Sequence, residues 1–139
     1  MRILPLLGVA LAALLSGAPA SGGEERTRVT SAAETSLSIT AWPQGRGQGK
    51  PSTRWTLRCG PVGGTLPNRI SACRSLGSLA KAFAPVPPDT ACTEIYDGPA
   101  EALVAGRHGD RRIWTRFRRN DGCHIDRWNR HRFLFPIRV

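Results

Sequence analysis

Leu57-Arg58-Cys59-Gly60-Pro61-Val62-Gly63-Gly64-Thr65-Leu66-Pro67 runs from the end of a strand pattern, through a glycine-rich link, into the start of a helix pattern. Upstream, residues 54–59 alternate through Trp55 and Leu57, the period of two expected of a half-buried strand. Downstream, Pro67 suits a first helical turn, because the N–H it lacks would be unpaired there anyway. Ile70, Cys73, Leu76, Ala80 and Phe83 then recur at three- and four-residue spacing and give one apolar stripe. Gly77 weakens that helix modestly, and Pro85, Pro87 and Pro88 end it by removing donors and restricting the residues before them.

Outward from this junction the same patterns continue. Thr35 to Trp42 alternates around Leu37, Ile39 and Ala41, and the turn formers of residues 43–49 break it, so two neighbouring antiparallel strands are expected. Residues 99–106 and 111–118 flank Arg107-His108-Gly109-Asp110 as the arms of a hairpin. In the second arm Ile113, Thr115 and Phe117 share one face, and Arg112, Trp114, Arg116 and Arg118 share the other. Asn120 or Asp121 can cap a short helix carrying Ile125 and Trp128. Phe133, Phe135 and Ile137 alternate to the end, and Pro136 predicts that this last strand lies at an edge. The expected fold is α+β, with about five antiparallel strands and two helices packed on one face of the sheet.

The N-terminus sets the compartment. Arg2, an apolar run over residues 3–15 and Ala18-Pro19-Ala20 form the basic, apolar and small-residue parts of a secretory signal peptide, residues 1–20. A membrane anchor would need about 20 continuous apolar residues, and Ser16-Gly17 closes the run before that. Residues 21–34 are polar, charged and without periodicity, which predicts a flexible leader ahead of a domain at residues 35–139. An exported domain of this size has a limited core, so the cysteines at 59, 73, 92 and 123 are expected to form two disulfides, with three pairings open.

Lys and Arg number 20 against 10 Asp and Glu, a net charge of +10, and all the bases except Lys50 and Lys81 are arginine. Such charge promotes solubility and attracts anions without naming one. Between Arg107 and Val139, arginines interleave with Trp114, Phe117, Trp128, Phe133 and Phe135, a composition able to contact phosphates and stack on bases. The plainer account is that the aromatics fill the core and the arginines cover solvated faces, so an exported cationic protein that binds nucleic acid or an anionic surface is the alternative reading and not the leading one.

Catalysis and metal binding find no support. No close cysteine pair of the C-x-x-C kind is present, so His108, His124 and His131 complete no zinc set, and no metal or cofactor is expected. G-x-S-x-G and H-E-x-x-H are absent, and the glycine-rich link lacks the G-K-[ST] ending of a phosphate loop.

Ala91-Cys92-Thr93-Glu94-Ile95-Tyr96-Asp97 remains the distinctive segment. It follows a proline-rich approach, Thr, Ile and Tyr favour extended backbone, and a cysteine can pin one end. On residues alone, a plain edge strand or connecting loop with a buried disulfide is the better account.

Four pieces in order resemble the Streptomyces subtilisin inhibitor family of secreted serine protease inhibitors. They are the strand at residues 36–42; the 57–67 stretch with Cys73 after it; Cys92-Thr93-Glu94-Ile95-Tyr96-Asp97; and Asn120-Asp121-Gly122-Cys123. The resemblance implies bridges Cys59 to Cys73 and Cys92 to Cys123. It implies a substrate-like, standard-mechanism inhibitor that is not an enzyme, with Glu94-Ile95 as the scissile bond, Glu94 in the primary pocket of a serine endopeptidase, and Ala91, Cys92, Thr93, Tyr96 and Asp97 in its cleft. It also implies a homodimer. The chain departs from the family where specificity is set: Glu94 stands where many members carry Met, Lys or Arg, Thr93 replaces the proline of some, and Gly98 reads as an insertion. A carboxylate in an acidic or apolar pocket is strongly unfavourable, so a glutamyl-specific or subtilisin-like protease is expected rather than trypsin.

Overall fold

The structure, a computed structural model, describes residues 34–47 and 49–139. The predicted signal peptide and residues 21–33 of the predicted leader lie outside the described residues.

Alternation builds the sheet first. Strand β1, Thr35–Trp42, buries Leu37, Ile39 and Ala41 on one face. It pairs antiparallel with β2, Thr53–Cys59, on one side and with β4, Glu101–His108, on the other. β4 continues through a tight hairpin into β5, Arg111–Phe117. The two-residue strand β3, Gly63–Gly64, closes the far edge, so the order is β3-β2-β1-β4-β5. Helix α1, Arg69–Ser78, presents Ala72, Cys73 and Leu76 to the sheet. Helix α2, Gly122–His131, contributes Trp128 and flows into a 3₁₀ turn, Arg132–Leu134. Leu57, Val104, Phe117, Leu134 and Phe135 join these side chains in one core. The disulfides are Cys59–Cys73, tying β2 to α1, and Cys92–Cys123.

Three expectations need correction. The first helix starts at Arg69, after Asn68 in a left-handed conformation at φ 54°, and ends at Ser78. Ile70 is therefore 66% exposed, while Phe83 reaches the core from the segment beyond the helix. The C-terminal strand does not form. Leu134 and Phe135 are buried in succession against Trp128 and Phe117, which no period of two allows, and Pro136 brings no donor to a ladder. The fifth strand is instead Gly63–Gly64 in the link. Gly64, at φ 103°, lies so close to β2 that an added Cβ would meet the Thr56 carbonyl oxygen at 2.2 Å.

Arg127 joins the layers. It is buried on α2, lies 4.0 Å over the Phe117 ring and donates to the carbonyls of Ala84 (3.0 Å) and Arg116 (2.7 Å) and to Thr115 Oγ1 (2.7 Å). Burial pushes its pKa down, but the neutral acceptors satisfy its donors.

Candidate functional site

Residues 91–97 belong to no helix or strand and, except for half-buried Cys92, are exposed. They are nevertheless fastened at several points to the segment joining β5 to α2. Cys92 is bonded to Cys123 in the first turn of α2, with the Cα atoms 5.4 Å apart. The carbonyl of Thr93 accepts two N–H groups, those of Ile95 and Gly122, each at 2.9 Å. The first bond folds the chain into a three-residue turn with Glu94 at its crest. At the other end, the Asp97 N–H donates to the Arg119 carbonyl at 3.0 Å, and the Arg119 guanidinium pairs with the Asp97 carboxylate.

The supporting segment is built for this contact. Arg119 ends the run after β5 with its side chain only 11% exposed and its guanidinium 5.8 Å over the Trp128 ring. Asp121 caps α2 by accepting the His124 N–H at 2.9 Å, and its second carboxylate oxygen lies 2.7 Å from the His124 ring. The His124 N–H is the main cause that holds the Asp121 carboxyl below its ordinary pKa, with the ring adding to it. Gly122 must be small, since a Cβ there would stand 2.1 Å from Thr93 Oγ1.

Between these fastenings Glu94 makes no hydrogen bond or ion pair with any described residue. Ile95 and Tyr96 are 55% and 68% exposed. Apolar side chains left this open on an otherwise restrained backbone form a surface suited to a partner.

The other candidate chemistry dissolves into local contacts. Cys92, Asp121 and Cys123 place ligand-type atoms within 4.8 Å of one another, but both sulfurs are committed to the disulfide. His108 bonds Thr35 Oγ1 at 2.8 Å, His124 faces Asp121, and buried His131 faces the carbonyls of Arg127 and Ala82. No helix among the described residues is long and apolar enough to cross a membrane.

The structure thus gathers Cys92, Thr93, Glu94, Ile95, Tyr96 and Asp97 into one restrained loop, with Ala91 exposed just upstream. Sequence reasoning missed Arg119, counted among the surface arginines, and the reason for Gly122. The adjacency of Asp97 and Arg119 follows from topology and leaves no local signal.

The subtilisin inhibitor-like family pattern matches residues 33–120, ending just before α2. No curated protein matches. Among solved structures, Streptomyces caespitosus sermetstatin in complex with Bacillus licheniformis subtilisin is 19% identical, covers 75% of this chain and 99% of that one, and has a TM-score of 0.48. With the family pattern spanning well over half of its length, the chain belongs to the subtilisin inhibitor-like family, whose members are protease inhibitors and not enzymes.

Proposed function

We propose that the protein is exported through residues 1–20 and inhibits a serine endopeptidase by offering residues 91–97 as a substrate-like peptide, with Glu94-Ile95 as the reactive bond. The observation that carries this reading is the double fastening of an exposed loop: Cys92 to Cys123 on one side of Glu94, and Asp97 to Arg119 on the other. A loop already held in one shape loses little conformational freedom on docking, so more of its contact energy appears as affinity. If the bond is cut, the fastenings keep the new carboxylate and amine side by side, and religation competes with release.

Specificity follows from Glu94. Its carboxylate has no partner among the described residues, so the protease must supply one or leave it hydrated. A pocket with a basic or polar lining, as in a glutamyl-specific endopeptidase, or a roomy subtilisin-like pocket satisfies this. An acidic pocket does not, and each 1.4 kcal/mol of mismatch lowers affinity about tenfold. Titration of the mature protein against subtilisin-like, glutamyl-specific and trypsin-like enzymes tests the reading. Inhibition of one of the first two classes is expected, with Glu94→Lys shifting potency toward trypsin-like enzymes. Inhibition unchanged by that substitution across all three classes would remove this loop from the interface.

A further inference from the structure

Leu79 to Pro87 leaves α1 and passes beside α2, and the two segments enclose a cavity of about 440 Å³ that reaches Thr90 and Cys123 at the root of the loop. Pro85, Pro87 and Pro88 deny this stretch the donors with which it could join a helix or a ladder. It is tied to α2 instead at single points: Arg127 Nε donates to the Ala84 carbonyl at 3.0 Å, and the His131 ring faces the Ala82 carbonyl. Beside these ties, Leu79, Pro85, Val86 and Pro87 give the cavity an apolar wall. Its volume is that of a small-molecule site.

The charges around this space do not balance. Lys81, Arg127 and Arg130 line it against one carboxylate, Asp126, which Arg130 engages at 3.0 Å. Arg127 is 5% exposed, and its acceptors at Ala84, Arg116 and Thr115 satisfy its donors without cancelling its charge. Among the described residues, neither Arg127 nor Lys81 has a carboxylate within 4.0 Å. Burial, and after it the positive charge of Arg130, pushes the Arg127 pKa down. Burial and these two arginines also hold down the pKa of His131, which lines the cavity as a neutral ring. Lys81 stands in a left-handed conformation at φ 53°, where glycine would be relaxed, and its carbonyl accepts the Ala84 N–H at 2.9 Å. A buried cation with no counter-charge is costly, so an anion entering here is attracted.

We propose that this cavity binds a small amphipathic carboxylate, its head group drawn to Lys81, Arg127 and Arg130 and its apolar body laid against Leu79, Pro85, Val86 and Pro87. Guanidinium and ammonium donors form charge-assisted bonds with a carboxylate, and the apolar wall rewards a hydrocarbon body that leaves water. An inorganic anion would leave that wall unused, and an alcohol would leave the cations uncompensated. The proposal does not rest on the reading of residues 91–97.

The test is calorimetric titration of the intact mature protein with sodium octanoate at neutral pH and low salt, with the site located by amide shifts in heteronuclear NMR. Octanoate should bind once per chain with a dissociation constant of about 0.1–1 mM, in keeping with so small a ligand. Octanol and inorganic phosphate should each bind at least about tenfold more weakly. Shifts should centre on residues 79–90 and α2. Lys81→Gln should weaken octanoate binding about 2- to 10-fold, whereas Asp126→Asn, which removes the repelling charge, should tighten it about 2- to 5-fold. These opposite signs distinguish a binding role from a structural one. Arg46→Gln, far from the cavity on the β1–β2 turn, should change nothing, and unaltered melting temperatures establish that every variant is folded. No saturable binding well above that concentration range would overturn the proposal. So would octanol or phosphate bound as tightly as octanoate, affinity that does not move in opposite directions in Lys81→Gln and Asp126→Asn, or shifts centred away from the cavity.

Discussion

Gly122 lies close enough to Thr93 for its N–H to bond the Thr93 carbonyl at 2.9 Å, and a methyl group in place of its hydrogen would stand 2.1 Å from Thr93 Oγ1. The start of α2 thus acts as a stop against which the residue preceding Glu94 rests. Gly122→Ala is expected to push Thr93 outward, destabilise the protein by about 1–3 kcal/mol and weaken inhibition. Because the colliding atom is a hydroxyl, Thr93→Ala in the same chain should recover most of the lost stability. Denaturant melts of the single and double variants check this, and no recovery in the double variant would contradict the contact.

Arg119 holds the other side. Arg119→Met keeps the apolar packing on Trp128 but loses the ion pair with Asp97, while the backbone bond from Asp97 to the residue 119 carbonyl survives. Loss of a hydrogen bond to a charged group is worth about 1.5–3 kcal/mol, so inhibition should weaken about 10- to 100-fold and cleavage of the loop should quicken. Inhibition constants and rates of cleavage by the same protease measure both. An unchanged pair of values would show that Asp97 needs no anchor.

The two disulfides should separate stability from inhibition. Their cysteines lie 14 and 31 residues apart, so the chain-entropy model gives each bridge about 3–4 kcal/mol. Cys59→Ser with Cys73→Ser should lower the melting temperature yet leave a working inhibitor below it. Cys92→Ser with Cys123→Ser should turn the protein into a substrate, since the loop is then free to leave after cleavage. Melting curves and inhibition assays on both double variants make the comparison, and equal inhibitory losses would refute it.

Acid should destabilise the fold in two stages. Burial pushes the pKa values of His131 and His108 below the ordinary value, against the pull of the two carbonyls that His131 faces. The unfolded chain therefore takes up the protons first, and stability present above about pH 6.5 declines as pH falls through that value. Asp121, with its carboxyl held low, contributes stability above its unfolded pKa, which is lost as pH falls below about 4 toward the folded value. Thermal melts from pH 7.5 to 3 should show both declines, and His131→Asn should shrink the first.

Much of this arrangement was legible in the sequence because one-faced burial leaves a periodic trace. β1 and the β4–β5 hairpin follow alternations in which Leu37, Ile39, Val104, Ile113 and Phe117 must be covered. Gly63–Gly64 leaves no such trace: glycines have no side chains to alternate, and their pairing with Arg58 and Leu57 is a matter of close approach. Phe133, Phe135 and Ile137 mimic a strand but are recruited by the aromatic cluster around Trp128. At the loop, cysteine order and a family resemblance indicated what is tethered. Arg119 stayed hidden because a buried arginine and an exposed one look alike beside Arg118. Across the sheet, the β5 alternation of Arg112, Trp114 and Arg116 was visible, but its alignment with Arg54 and Arg58 on β2 required the register.

The central claim is that the peptide joining Glu94 to Ile95 is the bond a protease engages. Mass spectrometry of the protein after prolonged incubation with a serine endopeptidase that it inhibits tests this most directly. The account predicts one slow nick, after Glu94, with both fragments held together by Cys92–Cys123 and separated only on reduction. A first cut at any other peptide bond, with Glu94-Ile95 intact, would contradict it.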